Sequence, residues 1–532
     1  MPEQKIEPAQ APTYSEGVEM QHTRPVASER TQTPSENEPS TVENARTEYR
    51  EKQQLDTQRY LSFLASLAFS ATLLASWETT GAGLLAGLYN GGPVAIVYGL
   101  IVSIVGNLAI AMSLAELASV HPTAGAQYHW TYVLAPYYPR FFSFFQGWIT
   151  VFSWSALVCI APFFIGTQIE GMIKLAHPEY EVHGWRSTLL MWFVSIIPIT
   201  VNIFARRVLG VIEIVAGVMH VVFLPTVLGF LSHAPRSEHG FVWDTFIGGL
   251  SGWENPGVVF SIGLLGVITP LSGIDGIIHM AEEVENAQVA VPRSMVWGTV
   301  INGAMAFSYA IAILYFMGNY ADALMTPTGY PIIEIAYQAT GSKTATFMIM
   351  ATGMMPGWIA FFNGLASVTR LTWAFARDNG LPFSDFFVKV DSRLKIPVRS
   401  LLLVSSCIFV LSLIQTGSTA AFNAILSLST LGLYISYLFP LVSLVIARFT
   451  IKDIPRGPFT LGRFGLPLNL VAILFATYFV VFLPFPPTLP VTTENMNFAG
   501  PVLGFVMLCS CIDWLVRGRH KWSGPTMRYP RG

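Results

Sequence analysis

Long apolar stretches separated by short polar segments fill this chain from about residue 61 to its end. A helix needs about 20 apolar residues to cross a bilayer, and twelve stretches satisfy this requirement. The pattern predicts an all-α integral membrane protein with about 12 transmembrane helices, numbered here as spans 1 to 12. Their predicted bounds are 61–88, 94–118, 141–172, 187–204, 209–231, 258–281, 295–317, 344–374, 400–416, 421–447, 467–486 and 500–516.

Spans 1 and 6 are interrupted by polar residues and glycines near their middles. Span 1 carries Ser76-Trp77-Glu78-Thr79-Thr80-Gly81, and span 6 carries Ser272-Gly273-Ile274-Asp275. An acid at this depth costs roughly 2.5–3.5 kcal/mol on insertion scales, and broken backbone is tolerated only against protein or a water-filled cavity. Two such segments, five spans apart, indicate the substrate site of a secondary transporter.

The composition supports a membrane protein and argues against an enzyme. Of the 532 residues, 52% are hydrophobic and 12% are charged, whereas a soluble domain carries about 25% charged residues. The sequence has no glycine-rich nucleotide loop, paired metal ligands or nucleophile triad. We therefore expect no cofactor, no bound metal and no nucleic-acid partner. The expected partners are the lipid bilayer and a small solute.

The distribution of charge predicts domain organisation and topology. Residues 1–58 are polar and predict a disordered cytosolic tail, residues 59–516 form the transporter domain, and residues 517–532 form a short basic cytosolic tail. With the N-terminus inside, the external side receives only four basic residues. Positive charge favours the cytosolic side, so both termini are expected there. The plasma membrane is the expected location, with a vacuolar or other internal membrane left open. The four external residues are Lys174, Arg186, Arg236 and Lys343.

Five sequence blocks occur in a specific order along roughly residues 60–516. The blocks are Gly91-Gly92-Pro93, Ala115–Ser119 with Pro122–Trp130, Ser272–Gly276 with His279–Val284 and Val291-Pro292-Arg293, Arg370 with Ala374–Ser384, and the Ala- and Ser-rich span 10. Together they resemble the amino acid–polyamine–organocation superfamily, and within it the fungal amino acid/choline branch that includes GABA and choline permeases. The resemblance implies a five-plus-five inverted repeat in which spans 1 and 6 are the corresponding broken helices.

Broken helices expose unpaired backbone N–H groups that attract a substrate carboxylate. The expected donors lie around Ser76, Trp77, Thr79, Thr80 and Gly81 in span 1 and around Ser272, Gly273 and Ile274 in span 6. The alternative is that the glycines only permit close helix packing.

Two acids at the interruptions have competing interpretations. Glu78 could neutralise a substrate ammonium, select a cationic substrate or carry the coupling proton, or it could be a hydrated residue of the external vestibule. Asp275 could bind a cationic head group or cap backbone N–H groups in the unwound stretch.

Aromatic residues near these acids could surround an ammonium group through cation–π attraction, or they could be ordinary core. The candidates are Trp77, Trp148 and Trp154, and the same alternatives apply to Phe361, Phe362 and Asn363 in span 8.

Candidates for ion coupling and gating follow mainly from the resemblance. Ser367 and Thr369 in span 8 could bind sodium. His220 in span 5 could donate a proton or a positive charge, or it could be bonded to a neighbouring carbonyl. At the inner ends of spans 6 and 8, Glu282 or Glu283 could pair with Arg377 to latch a gate, although flanking charges are usually solvated and contribute little.

The predicted function is secondary active transport of an amino acid or related small amine, such as GABA or a choline-like compound. Alternating access driven by protons or by exchange is expected. The alternatives are an exporter of a secondary-metabolite pathway and a nutrient-sensing transceptor of the same fold.

Overall fold

The structure is a computed structural model and describes residues 59–525 except 418, 452–453 and 493–494. The predicted N-terminal tail, 1–58, lies outside the described residues, as do residues 526–532. In the described part, all regular structure is helical apart from two isolated β-bridges. The predicted all-α class is therefore confirmed.

Within the described residues, eleven helical segments are long and apolar enough to cross a bilayer, and they correspond to spans 2 to 12. Span 1 completes the predicted twelve, but it is broken into the helices Phe63–Leu74, Ser76–Ala82 and Leu84–Tyr89. Spans 2 to 12 occupy Gly92–Val120, Pro139–Ala176, Gly184–Phe204, Val208–Leu231, Pro256–His279, Ala287–Tyr315, Lys343–Arg377, Val398–Gly417, Ser427–Thr450, Gly462–Phe482 and Ala499–Lys521. Shorter helices between them are Gln127–Leu134, His239–Asp244, Tyr320–Leu324, Pro331–Thr340 and Ser384–Phe387.

Span 1 is interrupted on both sides of its polar segment, and the polar segment itself is helical. Ala75 has left-handed backbone (φ 41°, ψ 49°), which ends the first helix, and the third helix starts after Gly83. Between them the polar segment is helical, and the hydroxyls of Thr79 and Thr80 donate to carbonyls one turn back. These internal bonds satisfy hydroxyls that would be costly at bilayer depth.

Span 6 is unwound where the sequence predicts. Its first half runs as Pro256–Gly263, Leu265–Ile268 and a 3₁₀ turn, Thr269–Leu271. The backbone then leaves the helix, with Ser272 extended and Gly273 at φ +87°, before Gly276–His279 resumes it. Glycine adopts positive φ without the penalty that a side chain would impose.

The packing brings the two breaks together inside the bundle. Span 7 lies along span 2 and against span 1, and the middle helix of span 1 contacts the 3₁₀ turn of span 6. Spans 3 and 8 pack against each other on another side, and spans 5 and 8 both contact span 1. The interrupted segments are therefore surrounded by five other spans.

Candidate functional site

A cavity of about 130 Å³ lies between the two broken helices. A buried water needs roughly 10–15 Å³ on a comparable scale, so the cavity has room for a small solute. Most of its wall is apolar and aromatic. The aromatic and polar side chains that line it are Trp77, Glu78, Thr79, Trp154, Phe164, Gln168, Thr269, Ser272, Tyr309 and Phe361.

Glu78 contributes a carboxylate to this cavity, and its side chain is only 6% exposed. Its Oε1 lies 2.8 Å from His220 Nδ1, whereas its Oε2 is buried without a hydrogen-bond partner. His220 Nε2 also lacks a partner. Glu78 and His220 therefore each keep one buried polar atom without a hydrogen-bond partner among the described residues.

Trp77 and Tyr309 form an aromatic wall beside this carboxylate. Trp77 Nε1 donates to the His220 carbonyl oxygen at 3.2 Å, and its ring meets Tyr309 edge-on at 5.3 Å. Gly81 allows this contact, because a Cβ atom there would lie 3.1 Å from the Tyr309 hydroxyl. Trp77, Glu78, Thr79 and Gly81 all line the cavity.

Ser76 of the span 1 segment contacts span 7 instead. The Ser76 N–H donates to Asn302 Oδ1 at 3.3 Å, and the Ser76 hydroxyl donates to the Asn302 carbonyl oxygen at 2.9 Å. Thr80 donates to the Ser76 carbonyl oxygen. Ser76 therefore anchors the middle helix of span 1 to span 7, and its N–H is already used.

In span 6, Ser272 and Gly273 line the cavity, whereas Ile274 and Asp275 lie behind it. Asp275 is fully buried and accepts hydrogen bonds from four side chains. It does not cap a backbone N–H group of the following helix. These hydrogen bonds connect span 6 to span 3, to span 10 and to the helix Gln127–Leu134. The donors are Gln127 (2.5 Å), Trp154 (3.0 Å), His279 (3.2 Å) and Tyr437 (2.6 Å).

The aromatic candidates divide between the cavity and the core. Trp154 and Phe361 line the cavity, whereas Trp148 packs against Phe375 at 6.3 Å. Phe362 and Asn363 lie outside the lining. Asn363 instead hydrogen-bonds Glu213, an acid of span 5 that the sequence analysis did not single out. A lone acid within an apolar span was the available signal.

The coupling-ion candidates do not converge on one place. The Ser367 hydroxyl donates to the Gly276 carbonyl oxygen at 3.0 Å, and the Thr369 hydroxyl donates to the Leu365 carbonyl oxygen at 2.6 Å. His220 is outside the cavity lining, but its Nδ1 lies 2.8 Å from Oε1 of Glu78, which does line the cavity. Among the described residues, no group of three or more His, Cys, Asp or Glu side chains could hold a metal ion.

Two ion pairs join spans 6 and 8 at one end of the bundle. Arg377 Nη1 donates to both carboxylate oxygens of Glu282, at 2.9 and 3.1 Å, and Arg370 pairs with Glu283 at 3.1 Å. The neighbouring Asp378 is bonded by Tyr128 (2.8 Å) and His129 (3.0 Å). We call these five residues, Glu282, Glu283, Arg370, Arg377 and Asp378, the gate cluster.

Asp378 of the gate cluster is held in a charged state although it is buried. Burial by itself would raise the pKa of Asp378, but the His129 hydrogen bond and the nearby Arg377 charge bring it below its usual range. A lowered pKa keeps the carboxylate ionised through neutral pH, and protonation would begin only in strongly acidic solution. Glu282, Glu283 and Arg377 were predicted from the sequence to pair at this gate, whereas the pairing of Arg370 was not predicted.

Two broken spans around a cavity, with ion pairs that join spans 6 and 8, form the architecture of a secondary transporter. The model of the amino acid permease family matches residues 61–508, and the chain belongs to this family. The predicted resemblance is thereby confirmed.

Several curated relatives are similar over most of their length. The choline transporter of Saccharomyces cerevisiae is 29% identical, over 87% of this chain and 82% of its own. Amino-acid permease 2 of Neurospora crassa is 26% identical, over 89% and 86%. Amino-acid permease BAT1 of Arabidopsis thaliana is 28% identical, over 89% and 94%.

Proposed function

We propose that this chain carries amino acids or related small amines across a membrane by alternating access, and that Glu78 binds the ammonium group of the substrate. The observation that carries the proposal is the unpartnered Oε2 of Glu78, which is buried at the cavity between the broken helices. A buried acceptor without a partner is costly. A substrate N–H or a positive charge would satisfy it.

The aromatic wall extends this preference to cations. Trp77, Trp154, Tyr309, Phe164 and Phe361 line the same cavity, and aromatic faces attract ammonium groups, quaternary ones included. Relatives named as a choline transporter and as amino-acid permeases support substrates that share a positively charged nitrogen. The shared nitrogen therefore defines the proposed substrate class.

The gate cluster fits the alternating-access part of the proposal. Spans 6 and 8 are joined there by two buried ion pairs, so substrate could leave through that end only after these pairs separate. We propose that this end faces the cytosol and that the transporter resides in the plasma membrane. Glu78 and the gate would then act in sequence, first binding and then release.

Uptake into proteoliposomes tests the proposal. The purified full-length chain is reconstituted, and saturable uptake of labelled choline, GABA, and zwitterionic and basic amino acids is measured. We expect at least one of these solutes to be taken up. For that solute, Glu78→Gln should raise the KM roughly 10–100-fold, because a hydrogen bond to a charged group contributes about 1.5–3 kcal/mol.

Glu170→Gln is the matched control. Glu170 is another buried acid, in span 3, but it is bonded by Ser187 and Tyr180 and lies outside the cavity lining. Its variant should keep the parent KM. Absence of saturable uptake of every amine tested would overturn the function, and an unchanged KM in Glu78→Gln would remove Glu78 from the site.

A further inference from the structure

Another buried acid, which lies outside the cavity lining, joins three spans to one another. Glu213 of span 5 is 1% exposed, and its Oε2 accepts hydrogen bonds from Asn363 Nδ2 of span 8 at 2.7 Å and from Thr72 Oγ1 of span 1 at 3.4 Å. Asn363 Nδ2 also lies 2.8 Å from Thr72 Oγ1. The three side chains therefore form one polar cluster, which we call the Glu213 cluster.

Glu213 has no counter-charge among the described residues. Both of its hydrogen-bond partners are neutral. A buried carboxylate without a cation is strongly disfavoured at bilayer depth, whereas the protonated acid is neutral. Asn363 Oδ1 is a buried acceptor with no donor. The absence of a nearby cation in the described part of the chain therefore favours a protonated Glu213. The unpaired Asn363 Oδ1 is an acceptor within the same cluster.

The titratable groups on the elements packed against span 5 do not supply the missing charge. Those nearest the gate are already paired with acids, and the others bond elsewhere or lie near the helix ends. Glu78 of span 1 and His220 of span 5 bond each other. In span 8, Arg370 and Arg377 are paired with Glu283 and Glu282, and Lys343 donates to the Ala176 carbonyl oxygen. The other groups are Glu334 and Tyr337 of the helix Pro331–Thr340, the former bonded by Gln338, Arg293, Tyr309 and Tyr315 of span 7, and Arg186 of span 4.

The cluster lies where movement of span 1 would alter it. Thr72 is in the last turn before the left-handed Ala75, and the Ala75 N–H donates to the Thr72 carbonyl oxygen at 3.1 Å. Any change at this break would move the Thr72 hydroxyl relative to Asn363 on span 8. Such a change would alter the solvation and hydrogen bonding of Glu213, which are the factors that decide whether a carboxyl is protonated.

We propose that Glu213 is the proton-coupling residue of this transporter. The carboxyl holds a proton while the Glu213 cluster is closed, and releases it to water as a hydronium ion when span 1 separates from span 8, leaving a carboxylate. Asn363 Nδ2 donates to both Glu213 Oε2 and Thr72 Oγ1, and an N–H donor between these two oxygen atoms disfavours a metal cation there. This inference rests on the proposed transport function.

Glu213→Gln separates coupling from transport. The variant keeps size and hydrogen bonding but cannot titrate. In proteoliposomes with the membrane potential clamped, an inward gradient of about one pH unit should concentrate a zwitterionic substrate about tenfold in the parent, given one proton per substrate. In Glu213→Gln we expect the accumulation ratio to fall to unity, while counterflow exchange of labelled for unlabelled substrate persists.

Glu170→Gln serves again as the control, because it also removes a buried acid. It should keep the accumulation driven by the pH gradient. Accumulation in Glu213→Gln equal to that of the parent would overturn the proposal. So would accumulation driven by a sodium gradient, and not by protons, in the parent. Absence of counterflow in the parent would instead refute the transport function itself.

A binding measurement covers the case in which Glu213→Gln does not exchange substrate. Purified protein is mixed with substrate in weakly buffered solution, and proton release or uptake is followed with a pH-sensitive dye. The variant should bind substrate without the proton change shown by the parent and by Glu170→Gln. A proton change of the same size in Glu213→Gln would overturn the assignment.

Discussion

Gly273 shows how one backbone position shapes the cavity. Its φ of +87° lets span 6 leave the helix where it faces the substrate cavity. A Cβ atom at this position would lie 3.0 Å from Leu157 and 3.4 Å from Trp154. A larger side chain would therefore meet the cavity wall and would also occupy a left-handed conformation, which costs roughly 1–2 kcal/mol for a residue other than glycine.

We expect Gly273→Leu to lower the initial rate of uptake by at least about tenfold, because it fills the cavity and disfavours the break. Insertion into the membrane should be retained, which size-exclusion chromatography of the purified variant would show. Gly329→Leu is the matched control, since Gly329 has φ +75° with nothing within 4 Å of a Cβ atom. If both variants transport equally well, the cavity does not depend on Gly273.

At the residue scale, the sequence predicted which side chains line the cavity better than it predicted their hydrogen-bond partners. The acid, tryptophan and glycine of span 1 could be selected because such residues are rare at bilayer depth, and Trp77, Glu78 and Gly81 do line the cavity. The environment of Asp275 could not be derived. Its donors Gln127 and Tyr437 are far away in sequence, and only the packed bundle brings them together.

At the scale of elements, the breaks of spans 1 and 6 differ in kind. Polar composition predicted an interruption in both, but in span 1 the polar segment is itself a helix bounded by Ala75 and Gly83. Composition alone could not locate the bend, because alanine carries no helix-breaking signal and has the highest helix propensity. In span 6, Pro270 and Gly273 mark the unwound stretch directly.

Substitutions in the ion pair between Glu282 and Arg377 test whether spans 6 and 8 form a gate. Arg377 is 2% exposed, and removing one partner of a buried pair typically costs about 3–5 kcal/mol. We expect Arg377→Glu to reduce uptake by at least about tenfold. The double variant Glu282→Arg/Arg377→Glu should recover part of it, because opposite charges again face each other.

Incomplete recovery is expected for a specific reason. Arg377 Nε also lies 4.0 Å from Asp378, so a glutamate at position 377 would be repelled by that carboxylate. The measurement is a double-mutant cycle on uptake rates, in which direct coupling appears as a deviation from additivity of about 0.5–3 kcal/mol. Additive losses would show that the pair does not act as a latch.

At the scale of the whole molecule, the hydrophobic pattern predicted twelve spans, and each has a counterpart in the described residues. Span 3 is long in the structure, as in its predicted bounds 141–172, and runs from Pro139 to Ala176. Hydropathy could predict the number and approximate length of the spans, because a span requires only sufficient length and an apolar composition. Which spans meet around the cavity depends on three-dimensional packing, and the sequence pattern did not contain that information.

The C-terminal segment was predicted as a basic tail, but its described part packs against the bundle. Trp522 is fully buried, with its ring 5.5 Å from Phe144 and from Phe375 and 5.8 Å from Tyr128. Its carbonyl oxygen accepts a 3.0 Å hydrogen bond from Arg140 Nε. Because Tyr128 bonds Asp378, this segment is connected to the gate cluster through one side chain.

Trp522→Ala should therefore weaken both the fold and the gate. Truncating a buried tryptophan typically costs about 3–5 kcal/mol, and the freed space would let Tyr128 move away from Asp378. We expect a lower midpoint of thermal unfolding for the purified protein and faster leak of preloaded substrate from proteoliposomes. Trp297→Ala is the control, since Trp297 is 55% exposed on span 7 and should change neither quantity appreciably. A loss of thermal stability without any change in leak would mean that the segment supports the bundle but leaves the gate unaffected.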